Sequence, residues 1–318
     1  MILTTMLALS AMTAARAAGP EELRAQAGFA LEQSYQAAFG NMRYEAQSLA
    51  DMQRWWREHT LGAPYTGRHR PIFVPAEQAN KLGALVYGSM LAKYRKDGLI
   101  DNDPVAVAQL KRVCDRLIAV ADQPALEWEY HLISTGAVNA FAVAGGKIGV
   151  LQGILKYTED DYGLAVVLSH EVAHVVQRHL DERLSEIILI QLANVAGDIA
   201  APHFLPVLIP KHLANIANMT ATVHQIYNLF SYEGTRLAMA GFGRTQEAEA
   251  DYVGLILMAK AGYDPLLAPA FWKRMLKGMP DPKFAQLVKW WRDHPLTSER
   301  IASVERWAPE ARDGYYKP

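Results

Sequence analysis

The sequence predicts an α+β fold, mostly helical, with a small sheet set beside one buried helix. Three observations predict it. Long stretches carry apolar residues at helical spacing, while Leu126 to Leu151 changes to the alternation of half-buried strands. The run from Ala165 to Val176 is apolar on nearly every side, which marks a helix inside a core. The chain's 318 residues, 51% hydrophobic and 20% charged, supply core enough for one or two domains.

Residues 1–19 are apolar and small, and Ala15-Arg16-Ala17 has the form of a cleavage site, yet no Lys or Arg precedes Arg16. The segment is short for a membrane span, so it reads as an apolar leader or anchor remnant. No cysteine follows it, which argues against a lipoprotein anchor. Glu21 to His59 reads as helix broken near Gly40, with Trp55 and Trp56 as core contacts. Gly62, Pro64, Gly67 and Pro71 mark Leu61 to Val74 as a linker. This divides the chain into a helical extension and linker over 20–66 and a main domain over 67–318.

Within the main domain, Pro75 to Lys96 and Pro104 to Ala121 read as amphipathic helices. Strands are predicted over Leu126 to Ile133, Val138 to Ala144 and Lys147 to Leu151, the last two joined through Gly145-Gly146. Thr158 to Asp161 looks like a helix start, with a helix running on past Arg183. Ile187 to Ile209 is long and apolar but contains Asp198, Pro202, His203 and Pro206. Charge and proline argue against a true span, which leaves a membrane-touching or partner-facing hairpin, or a plain buried segment. A further helix is predicted from Gln246 to Ala261.

The net charge of −1, with no basic patch, excludes a strong pull toward nucleic acid. The one cysteine, Cys114, excludes an intramolecular disulfide and a paired-cysteine zinc site, and its helix makes it a buried structural thiol.

Chemistry concentrates in His170-Glu171-Val172-Ala173-His174. With ten histidines in the chain, shuffling would produce this HExxH pattern roughly once or twice in a hundred, so context decides. The apolar flanks bury the turn, and buried polar groups need partners. On a helix His170 and His174 share a face, where they can hold one metal ion with Glu171 beside a bound water. A catalytic zinc needs a third protein ligand. The metzincin solution fails, because positions 177 and 180 are Gln and Leu. His179, five residues past His174, rotates off the metal face of a continuous helix and reads as structural or solvent-facing. Glu247 on the later helix fits the gluzincin solution. Asp251, four residues on, shares its face and would orient His170. Glu249 is the alternative ligand.

HEVAH followed by EAEAD resembles the membrane-associated gluzincin peptidases of the HtpX and BepA type, which include the CAAX prenyl proteases. Asn139 to Ile148 is similar to that family's strand pair, and Asp293 to Arg300 to its C-terminal HPxxxxR element. Within the family, Pro64 to Arg68, the strand pair, and Glu249 to Gly254 leading into Ala261 to Pro265 resemble most the mitochondrial inner-membrane peptidases with overlapping activity with the m-AAA protease.

The resemblance implies a zincin-like gluzincin core holding one zinc per chain on His170, His174 and Glu247. It makes Glu171 the general base and His294 the oxyanion stabiliser, or a zinc ligand in a resting state. Arg300 anchors the segment of His294. Protein or peptide substrates would add to the sheet edge at Asn139, Ala140, Phe141 and Ala142. Further expectations are peptide-bond hydrolysis in misfolded or membrane-associated proteins, membrane association, and a place at the mitochondrial inner membrane or in the bacterial periplasm. Self-association is left open. The alternative is a catalytically silent, zinc-stabilised scaffold or chaperone-like protein, for which Glu171 has no use.

Overall fold

The computed structural model describes residues 60–72, 76–183, 185, 243–278, 294 and 296–317. The leader, the helical extension before residue 60 and the apolar stretch 187–209 lie outside these. In chain order the elements are strands β1 (Thr60–Gly62) and β2 (His69–Pro71), helices α1 (Ala76–Lys96) and α2 (Pro104–Val120), strands β3 (Glu129–Ile133), β4 (Val138–Val143) and β5 (Lys147–Gln152), then helices α3 (Leu155–Thr158), α4 (Asp161–Val176), α5 (Arg244–Lys260), α6 (Ala268–Lys277) and α7 (Ser298–Tyr315). A 3₁₀ turn, Pro265–Leu267, leads into α6. Among the described residues, no helix is long and apolar enough to cross a membrane.

The α+β expectation holds, and the small sheet lies beside the HExxH helix. Its strand order is β3-β5-β4, with β3 parallel and β4 antiparallel to β5. Gly145 and Gly146 make the β4–β5 turn at φ of +84° and +75°, a region glycine enters without a Cβ clash. β4 is therefore an edge strand of the three. Since Ala142 N–H points away from β5 to Glu171, the strand period turns the main-chain groups of Ala140 and Ala142 outward.

α4 is buried along almost its whole length. It packs on the sheet side against Val138, Ala140, Ile148 and Val150, and on the other against α2 and α5. Burial on all sides is what its continuous apolar composition requires. Gly254 of α5 permits close contact with α4, because a Cβ there would lie 3.2 Å from the main-chain nitrogen of His170. α7 lies along α5, with Trp307 edge-on to Tyr252 at 5.6 Å. A second apolar cluster, Tyr87, Leu91, Ile133, Phe141, Val143 and Leu151, joins α1 to the opposite face of the sheet.

Three local expectations change. The stretch 61–74, read as a linker, contains an antiparallel hairpin in which Thr60 pairs with Pro71 and Gly62 with His69. The N-cap of α4 is Asp160, whose carboxylate accepts from Gly163 N–H; Thr158 instead closes α3. α4 stops at Val176 rather than running past Arg183. Arg178 takes φ +52°, and the chain is helical again over 179–183. That one left-handed residue re-aims the helical turn at 179–183.

Candidate metal centre

His170 and His174 come from successive turns of α4, Glu247 from the first turn of α5, and His294 from the segment before α7. One donor atom from each of these four buried residues lies within 4.8 Å of the others. His170 Nε2 is 3.1 Å from His174 Nε2 and 3.2 Å from His294 Nδ1. Glu247 Oε1 is 3.1 Å from His294 Nδ1 and 3.5 Å from His174 Nε2, and its Oε2 is 3.4 Å from His170 Nε2.

The backs of the two α4 histidines are occupied. His170 Nδ1 faces Asp251 Oδ1 at 3.0 Å, as the four-residue spacing of Glu247 and Asp251 predicts. Arg300 holds that carboxylate with Nε to Oδ2 at 2.9 Å and Nη2 to Oδ1 at 2.8 Å, and reaches Glu247 Oε2 with Nη1 at 2.8 Å. Arg300 thus ties the C-terminal element to α5. His174 Nδ1 meets His179 Nδ1 at 2.8 Å. With both Nδ1 atoms facing a partner behind, two Nε2 atoms and one carboxylate converge among buried side chains. Two imidazoles with a carboxylate are donors suited to zinc.

Burial works against ionising Glu247, but His294 and Arg300 outweigh it and hold the carboxyl well below its usual range. Burial likewise opposes charge on Asp251, which Arg300 and His170 keep ionised. Burial lowers both imidazoles; at His170 the carboxylates of Asp251 and Glu247 more than reverse this, to about 9, while His174 stays well below its ordinary value. Glu171 is pushed up, chiefly by burial. Its Oε2 accepts from Ala142 N–H at 3.1 Å, and its Oε1 lies 3.3 Å from His294 Nε2.

The four residues expected at the sheet edge separate. Ala142 reaches Glu171 through its main chain. The side chains of Asn139 and Phe141 point to the other face, where Phe141 packs over Gly149 in the α1 cluster. Ala140 is in the core, leaving only its main chain outward. A cleft of about 220 Å³ runs along this edge, lined among others by Ala142, Val143, His174, Arg178, Leu180 and Asp181.

Two alternatives left open by the sequence are narrowed. Of the structural and solvent-facing readings of His179 the structural one fits, since the residue is fully buried and the break at Arg178 swings its ring back against His174. Glu249 is not among the converging donors. Its Oε2 accepts from His179 Nε2 at 3.0 Å and from Arg68 Nε at 2.9 Å, and its Oε1 accepts from the Thr66 hydroxyl. Arg68 also grips Glu182, at 2.6 and 2.7 Å. Sequence reading did not assign Thr66, Arg68 or Glu182 to the site. The available signal was Glu249 itself, a further acid on a buried helix that demands a counter-charge.

Residues 104–308 match Peptidase family M48. The fission yeast (Schizosaccharomyces pombe) mitochondrial metalloendopeptidase OMA1 is 30% identical over 263 residues, covering 80% of this chain and 68% of the relative. The human metalloendopeptidase OMA1, mitochondrial, is 27% identical over 261 residues, 80% of this chain and 47% of its own. The beta-barrel assembly-enhancing protease of Escherichia coli K12 is 27% identical over 214 residues, 66% of this chain and 40% of its own. The chain thus spans about two-thirds of the yeast relative and under half of the other two.

Proposed function

The chain belongs to peptidase family M48 and is a metalloendopeptidase, and on that premise we propose a zinc-dependent enzyme of the gluzincin arrangement that cuts extended segments of misfolded or membrane-associated proteins. One zinc ion per chain would be held by His170, His174 and Glu247. The observation that carries the reading is the convergence of these donors, with Glu171 alongside and the edge of β4 within its reach.

Zinc, when bound, supplies Lewis acidity: it brings a water's pKa toward neutrality and polarises the scissile carbonyl. Glu171 would take the proton from the attacking water and return it to the leaving amine; burial raises its carboxyl from the ordinary value. Ala142 N–H keeps that carboxylate aimed. His294 can donate to the charge that develops on the carbonyl oxygen. In the arrangement described it instead sits among the ligands, 3.1 Å from Glu247 Oε1, which suits a resting contact that substrate displaces. Asp251 and Arg300 hold His170 and Glu247 in place.

Substrate would bind as an added strand on β4, using the outward main-chain groups of Ala140 and the carbonyl of Ala142, whose N–H is held by Glu171. Main-chain pairing is tolerant of sequence, which fits a quality-control peptidase acting on unfolded chain. Relatives named as mitochondrial metalloendopeptidases and as a beta-barrel assembly-enhancing protease support work at a membrane, in mitochondria or in a bacterial envelope.

Glu171→Gln is the direct test. It should retain stoichiometric metal by elemental analysis and lose cleavage of casein by at least about a hundredfold, the usual contribution of a positioned acid–base group. A variant that cuts as fast as the parent sinks the mechanism.

A further inference from the structure

The two histidines of α4 are supported differently. His170 leans directly on Asp251, which Arg300 holds. Behind His174 stands a longer chain of contacts: His179, then Glu249, then Thr66 and Arg68 of the β1–β2 hairpin. The hairpin lies outside the stretch 104–308 that matches the peptidase family.

The chain of contacts has a direction. Glu249, fixed by Arg68 and Thr66, can only accept, so His179 Nε2 must carry the hydrogen. A neutral imidazole with Nε2–H has a lone pair at Nδ1. His174 must then donate its Nδ1–H across the 2.8 Å contact, and its remaining lone pair is at Nε2, facing Glu247 and His170. The opposite tautomer of His174 would set two lone pairs against each other at Nδ1.

Stability does not explain this arrangement. Arg68, Glu182, Glu249 and His179 are all buried, and Arg68 closes one ion pair at 2.6 Å and another at 2.7 Å. Buried ion pairs recover little more than their desolvation cost, and apolar side chains of similar volume generally serve the fold as well. What an apolar substitute cannot do is choose a tautomer.

We propose that Thr66, Arg68, Glu249 and His179 form a positioning relay that presents His174 Nε2 to the metal, so that the β1–β2 hairpin is a working part of the metal site. The relay deepens the zinc reading and rests on it. The hairpin is also fastened beside the relay, since Gln177 Nε2 donates to Pro64 O at 2.7 Å. Loss of the hairpin's grip would then be felt at His174 with no change in any ligand.

The test compares His179→Leu with His179→Gln in the full chain. A glutamine amide can accept from His174 and donate to Glu249, while leucine can do neither. Zinc affinity is read by chelator competition, cobalt-substituted protein by its visible absorption, and fold integrity by melting of the metal-free chain. His179→Leu should lose roughly 10–100-fold in zinc affinity, the usual effect of removing a ligand's hydrogen-bond partner. It should also shift the cobalt bands, while the metal-free melting temperature stays near the parent's. His179→Gln should recover most of the affinity and the parent spectrum. Thr66→Val, a milder change at the far end, should weaken zinc in the same direction.

Equal zinc affinity in His179→Leu and the parent overturns the relay, as does a loss as large in His179→Gln as in His179→Leu. Unchanged affinity in Thr66→Val removes the hairpin from it. If His179→Leu does not fold, the glutamine and Thr66 variants decide alone: a parent-like spectrum in the first with weakened zinc in the second upholds the relay, and any other pair of results overturns it. A parent that binds no zinc would instead sink the zinc reading itself.

Discussion

Asp251 faces two ways, toward His170 Nδ1 at 3.0 Å and toward both ends of the Arg300 guanidinium. Asp251→Asn keeps the shape but removes the charge that favours an Nδ1–H on His170. Zinc affinity should fall roughly 10–100-fold by chelator competition, with all four converging donors intact. An unchanged affinity would leave Asp251 a purely structural partner of Arg300. His294 differs, because it belongs to the donor set without being needed to complete three ligands. His294→Ala should keep stoichiometric zinc and lower kcat, and loss of the metal would promote His294 to an essential ligand. Cys114 is buried, and burial drives its thiol above the ordinary range. It should stay unlabelled by a thiol reagent until denaturant is added; rapid native labelling would contradict its place in the core. Glu247 and Asp251 were readable because four residues on a helix set one face. His179 was not, since no residue near it announces the left-handed turn at Arg178, a position glycine or asparagine would usually mark.

The ligand helices α4 and α5 meet closely at Gly254, where even a Cβ would sit 3.2 Å from His170 N and 3.3 Å from Ser169 C. Backbone cannot give way as a flexible side chain can. Gly254→Val should push the helices apart, lowering stability by about 1–3 kcal/mol as overpacking does and weakening zinc at the same time. Denaturant titration and chelator competition on one sample check both effects, and a stability loss without a change in zinc affinity would show that the site tolerates the displacement. Most helices and all three strands of the central sheet were legible, because burial on one face or on all faces leaves a period in the sequence. The β1–β2 hairpin was not. Its strands are three residues each, too short for a period, and its Gly and Pro residues read as linker. Its tie to the site runs through Arg68 and Glu249, 181 residues apart in the chain, a contact that no local pattern encodes.

On the scale of the whole molecule, the candidate metal site joins stretches that the chain keeps far apart. Its donors come from α4, α5 and the residue at 294, and the supporting Arg300 and Arg68 extend it to α7 and to the hairpin. Of these elements α4, α5 and α7 also share the main core, with Leu164, Val172, Val253, Leu257, Ile301 and Trp307 in one cluster. Three buried carboxylates, Glu171, Glu247 and Asp251, crowd around this junction. Arg300 offsets part of the charge of Glu247 and Asp251, and a metal among the donors would tie α4 to α5 through their side chains. A metal that binds only the folded chain adds stability by mass action, about 4 kcal/mol at a thousandfold excess over Kd. For a domain of this size that corresponds to a melting shift on the order of 10 °C. Chelation of the parent should therefore lower its melting temperature by that order, restored when zinc is returned. Glu247→Ala should melt near the chelated parent and respond little to chelator or zinc, because the ligand proposed to join α5 to α4 is gone. If chelation strips the metal, as elemental analysis would show, while the melting temperature does not move, the site is an insert in a fold that stands without it. A drop in the parent together with a flat response in Glu247→Ala identifies the metal as a structural joint of the same helices whose geometry serves the chemistry.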